Sequence, residues 1–202
     1  MMQTNTTNAS RWDSALSSFL DNELNRLASM QLSNGALPMR PMAPGHSERI
    51  CPYFSSFAAL ALLSGSSCYY ENVRLYIEWH FAHLNTAETD CNGMDGTIYD
   101  YVVKESGGAL TETPVCDQNG KPTYDSSDSY AALFLMVLER YGHATGDVNL
   151  LLRHADEIQR ITCAMLGTLD QDLTCAKPDF SVKYTMDNCE VAAGLACAVR
   201  LS

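Results

Sequence analysis

Apolar positions along this chain fall into six helical segments of two alternating kinds. Over about residues 10 to 30, Trp12, Leu16, Phe19, Leu20, Leu24 and Leu27 recur on one helical stripe with a polar opposite face, which predicts an amphipathic outer helix. The next segment, PYFSSFAALALL over 52 to 63, is apolar or small nearly all round, with Pro52 suited to a first turn, and predicts an inner helix covered on more than one side. A stripe returns over 69 to 85 in Val73, Tyr76, Ile77, Phe81 and Leu84, with Glu71, Arg74 and Glu78 toward solvent. From Ser127 the run AALFLMVL is again apolar on every side, and Gly142 is the expected stop. A third stripe spans 147 to 167 behind an Asp147 cap, in Leu151, Ala155, Ile158, Thr162 and Met165. CEVAAGLACAVRL, from about Asp187 onward, gives a third inner helix.

The connections have their own order. Turns from inner to outer helix are short, GSSC near 65 and GHATGD near 143, whereas residues 31 to 51, 86 to 126 and 170 to 186 form long connections, each leading into the N-terminus of an inner helix. All three long loops are therefore expected at one end of the bundle, and their aromatic content marks that end as a binding face. Within the middle loop, GTIYDYVV alternates and predicts a short strand pair over about 94 to 104. The expected fold is all-α in a single domain, with residues 1 to 9 as a disordered tail.

Charge narrows the partners. Thirteen Lys and Arg against 24 Asp and Glu leave a net charge of -11, which repels nucleic acid and anionic membrane surfaces and favours a neutral or cationic small ligand. No apolar run of membrane-spanning length and no basic-then-apolar leader occurs, so a cytoplasmic location is expected. Eight cysteines lack a CxxC pair and a His at ligand spacing, and Cys163, Cys189 and Cys197 lie in apolar helical runs. The expectation is reduced, mostly buried thiols with no metal and no cofactor. The sequons at Asn5 and Asn8 signify nothing without a secretory context.

The segments MDGTIYDY (94 to 101), YDSSDSYAALFLMVLERYGHATGD (124 to 147) and LTCAKPDFSVKYTMDNCEVAAGL (173 to 195) resemble the six-hairpin glycosidase superfamily. Its members close an (α/α)6 barrel around a sugar-binding cleft. The resemblance extends over about residues 30 to 200 and implies half of an α/α toroid, because three hairpins stand where the family has six. A half ring would leave apolar inner helices against water, so the expected partner is a second copy, as a homodimer, or a missing C-terminal half.

Hydrolysis of a glycosidic bond needs two carboxyl groups, one to protonate the leaving oxygen and one to act as nucleophile or base. Asp125 and Asp128, at the mouth of the second inner helix, are the first catalytic candidates, and the resemblance also implies cleft acids there. Asp95 in the middle loop is the third. Each has a plainer reading: capping or first-turn stabilisation for the pair, turn chemistry for Asp95 before Gly96. Asp187 and Glu190 repeat the pattern at the third inner helix, with a capping box as the alternative. Sugar binding takes aromatic faces and polar groups, which at the loop end are Tyr53, Tyr99, Tyr124 and Tyr184, with Phe54, Tyr101 and Phe180, and His46, Arg49 and Lys183. The function the resemblance implies is that of a carbohydrate-active protein, a glycoside hydrolase acting on a carbohydrate substrate. A sugar epimerase or isomerase on the same barrel would need a base such as His in the cleft, where only His46 is placed, and a truncated half barrel that merely binds glycan or protein is the third class.

Overall fold

A computed structural model describes the backbone of residues 6–202 and the side chains of residues 13–202. The start of the expected tail, with the Asn5 sequon, and the side chain of Trp12 lie outside the described residues; from Thr6 onward the expected tail is already helix. Seven helices and two small antiparallel sheets make up the described fold. The helices are α1 (Thr6–Ser29), α2 (Pro52–Leu63), α3 (Tyr70–Ala82), α4 (Asp128–Thr145), α5 (Val148–Arg153), α6 (Ala155–Leu166) and α7 (Thr185–Leu201). Among the described residues they do not close into a ring, barrel or solenoid.

Helix α4 is the centre. It packs against α2 on one side, α7 on the other, and α3 and α6 behind. Its apolar run is covered except at the partly exposed Met136, with Phe134, Leu135, Val137 and Leu138 fully buried, as the all-round apolar pattern requires. The approach of α7 is close enough that a Cβ on Gly194 would stand 2.7 Å from the Cα of Ala132, so glycine is needed there for packing. The two flanking inner helices are not covered all round. Phe57 of α2 and Cys189, Ala192, Ala196 and Val199 of α7 face solvent, because no further helix lies beyond them among the described residues. The stripe of α1 divides likewise: Leu24 is buried against the body, but Leu16, Phe19 and Leu20 project past it.

Two helices differ from expectation. Helix α4 runs through Gly142 and stops at Gly146, which takes the left-handed conformation (φ 71°) that ends helices without steric cost. Gly142 serves instead to let Leu151 approach. The helix expected over 147 to 167 is two, broken at His154, whose backbone leaves helical geometry while its ring stacks on Phe81 at 4.1 Å. The Asp147 cap is in place, accepting from the Leu150 amide at 3.1 Å.

The strand pair expected over 94 to 104 lies further along the chain: residues 96 to 100 form no strand, and the long loops hold more strand than the alternation in GTIYDYVV predicts. Strands β1 (Ser47–Ile50), β2 (Tyr101–Ser106) and β3 (Ala109–Pro114) form one antiparallel sheet in that order. Gly107 and Gly108, both at positive φ, turn β2 into β3. Glycines at both central positions suit a tight two-residue hairpin, a signal the alternating YVVKES and ALTETP flanks carried. Glu112 of β3 fastens this sheet to α3, accepting from Trp79 Nε1 at 3.0 Å with His83 Nε2 at 2.9 Å. A second pair, β4 (Leu169–Asp170) and β5 (Leu173–Thr174), lies in the last long loop. The eight cysteines are free, and four of them (Cys68, Cys116, Cys163, Cys189) are exposed; Cys163 and Cys189 sit on outward helix faces, against the expectation of mostly buried thiols.

Candidate functional site

The N-termini of α2, α4 and α7 converge on a cavity of about 430 Å³. One wall is the start of α2 with Cys51, Tyr53 and Phe54; the floor is Ser129 and Tyr130 in the first turn of α4, with Ser126 two residues ahead of the helix. The opposite wall is Tyr184, Met186 and Asp187 of α7, with Phe180 from the preceding loop, and Asp125 stands at the rim. None of the lining residues is Lys, Arg or His.

Behind the floor, Asp128 is completely buried and fully engaged. It accepts from Ser126 Oγ (2.6 Å), Thr174 Oγ1 (2.7 Å) and the Ser129 amide (2.7 Å). It also ties the last loop to α4, together with the Ser127 amide donating to the Ala176 carbonyl at 2.7 Å. Ser127, at the cap position of α4, makes no capping bond; Ser126 Oγ takes the Ser129 amide instead. At α7 there is likewise no side-chain cap bond from Tyr184, and Glu190 reaches across to Tyr53, whose hydroxyl donates to its Oε1 at 2.7 Å. The capping-box reading of Asp187 and Glu190 is thereby replaced by a contact between helices. Glu190 Oε2 is enclosed without a hydrogen-bond partner among the described residues.

Four carboxyl groups without a cation among them set the electrostatics of this side. Asp187, only 6% exposed, has its pKa pushed up to about 6, chiefly by burial and then by the negative charges of Asp128, Glu190 and Asp125. Burial likewise raises Glu190. A first-turn position would by dipole alone favour the ionised form, so desolvation and like charge outweigh it here.

The other side is built differently. Register pairs Ile50 with Tyr101, which places Cys51 and Asp100 together at the end of the sheet. Asp100, 1% exposed, takes an ion pair from Arg49 and a hydrogen bond from Tyr130 at 3.0 Å, and the Tyr130 hydroxyl also lies 3.3 Å from Cys51 Sγ. Burial, and then Asp100, push the Cys51 thiol up, away from the reactive thiolate form. Tyr130 is raised strongly for the same two reasons.

Of the sequence-predicted residues, Asp125, Tyr53, Tyr184 and Asp187 line the cavity, Glu190 adjoins it through Tyr53, and Asp128 and Arg49 stand one step behind its walls. Five lie elsewhere. Asp95 pairs with Arg160 of α6 at 2.8 Å, in a turn whose Gly96 packs against the α6 backbone, the role its Asp-Gly pairing suggests. Tyr99 and Tyr124 stack on each other at 5.8 Å in the core, their hydroxyls engaged with the Thr89 carbonyl and Asp90. His46 bonds the Pro44 carbonyl on the surface, and Lys183 is held by Asp170 at 2.8 Å. Sequence reading missed Tyr130, Ser126, Ser129 and Cys51, although Ser129 and Tyr130 were legible as the first turn of the second inner helix. Among the described residues no group of three His, Cys, Asp or Glu is arranged to hold a metal ion.

No family model, no curated protein and no solved structure matches this chain. The likeness to six-hairpin glycosidases therefore rests on the three quoted segments alone.

Proposed function

We propose that the chain is a carbohydrate-active protein, a glycoside hydrolase of neutral or amine-bearing sugars, organised as part of an α/α toroid and working in the cytoplasm. The observation that carries this reading is the meeting of two carboxyl groups, Asp125 and Asp187, with the rings of Tyr53, Phe54, Phe180 and Tyr184 around one cavity. Aromatic faces suit the C–H surfaces of a pyranose, and the absence of basic lining residues disfavours a sugar acid. Solvent-facing free thiols fit a reducing compartment.

In this reading Asp187, kept protonated to about pH 6 by its surroundings, delivers its proton to the glycosidic oxygen as the bond to C1 breaks. Asp125, exposed at the rim, takes a proton from the attacking water or attacks C1 itself. Asp128 and Glu190 act on Asp187 through their charge. An isomerase or epimerase is disfavoured, since no His lines the cavity and His80 is stacked on Phe134 in the core.

The test is release of reducing ends from a panel of neutral and amino-sugar oligosaccharides. Asp187→Asn and Asp125→Asn should each lose about a thousandfold in rate, within the range a positioned acid or base contributes, with the helical circular dichroism unchanged. Full turnover by Asp187→Asn would remove the catalytic assignment. Calorimetric binding of a glycan with no turnover by the native chain would leave a lectin-like protein.

A further inference from the structure

The two ends of the helix order carry apolar surfaces of opposite form. At the α1 end, Leu16, Phe19 and Leu20 make a ridge of i, i+3, i+4 spacing, and they are 62%, 65% and 48% exposed. Phe57 of the adjoining α2 is exposed beside the same end of the order. At the α7 end there is a groove instead. Helices α5 and α6 and the last turns of α7 enclose a second cavity of about 610 Å³, walled by Leu151, Ile158, Ala198 and Leu201, with the exposed Val148 and Leu152 also lining it.

We propose that this groove receives α1 of a second copy of the chain, so that two copies close on each other through two equivalent contacts about a twofold axis. A ridge of that spacing laid in an apolar groove is a common way for an amphipathic helix to dock. Charge does not oppose it: Arg200, the one charged residue lining the groove, is already paired with Glu139 of its own chain at 2.6 Å. Area favours it. The exposed apolar side chains of the two surfaces amount to about 700 Å² per contact, hence about 1,400 Å² for the pair, inside the range of a stable interface. Each surface pairs with its opposite and not with itself, and the twofold axis closes the assembly at two copies. The inference does not depend on the chemistry at the first cavity.

The experiment is light scattering of the full chain at tens of micromolar. The native chain should have twice the chain mass. Leu16→Glu with Phe19→Glu should reduce it to a monomer, as should Val148→Glu with Leu152→Glu, both keeping native helicity because the four side chains are exposed. Mixing the two double variants should restore a dimer, weaker than the native one, because one intact contact remains. A native monomer, meaning that another occupant fills the groove, would overturn the proposal. So would dimers that survive either double substitution, or a mixture that stays monomeric, which would indicate pairing of like with like.

Discussion

The two walls of the first cavity solve the same problem, a carboxylate taken out of water, in opposite ways. Asp100 is given a cation, Arg49, and a phenol, Tyr130. Asp128, equally buried, is given only hydroxyls and an amide, and the charge it keeps is felt by Asp187. A buried charge with its own counterion is electrically finished and holds the sheet to the helices. Charge left without one raises its neighbours' proton affinity, and that is where acid chemistry becomes available.

The contrast can be broken by substitution. Asp128→Ala should have the largest effect on stability, about 3 kcal/mol, because it removes the acceptor that Ser126, Thr174 and the Ser129 amide share in the interior and leaves them only their longer contacts to one another and to Asn188; urea unfolding measures it. Asp100→Ala should cost less, about 2 kcal/mol, since half-exposed Arg49 can turn to water. Equal losses would mean that the walls do not differ as described. With an acid whose pKa is about 6, turnover should fall tenfold per pH unit above that value, and a flat profile from pH 5 to 8 would dissociate Asp187 from the rate.

Two smaller effects sharpen the picture. His80 is buried and held neutral, its pKa well below the usual 6.5 because of burial and then His83. Its unfolded form gains a proton that the folded form refuses, so this contribution to stability is full above pH 6.5. It should decline below that by up to about 1.4 kcal/mol per unit, and His80→Phe should flatten the slope. Asp187 has the opposite sign: its folded pKa lies above the unfolded one, so the ionised group opposes folding as pH rises toward and past 6. Asp187→Asn should therefore stabilise the chain more at pH 8 than at pH 4, in thermal melts.

Pattern located the helices because α4 and its outer partners obey single periodicities over many turns. It failed where one residue overrules its neighbours. His154 interrupts a stripe that reads as continuous, and Gly107 and Gly108 turn a chain that reads as loop. For the site, placement at the helix N-termini brought Asp125, Tyr53, Tyr184 and Asp187 to the cavity. Loop residues were less legible, since His46, Lys183, Asp95, Tyr99 and Tyr124 belong to the same loops but are held away from it, His46 and Lys183 by partners within their own loops and Asp95 and Tyr124 by the distant Arg160 and Asp90. Cys51 and Asp100 could be brought together only by a strand pairing that joins residues fifty apart.

The enclosure of α4 bears also on how the chain is made. Its apolar surface is covered by α2, which precedes it, and by α6 and α7, which follow, the last ending at Leu201. At the ordinary pace of 5–20 residues per second, the ribosome takes about 3–11 s to pass from the end of α4 to the end of α7. During that interval a helix bearing AALFLMVL is covered by α2 and α3 alone, and its remaining apolar surface is open to aggregation unless something shelters it.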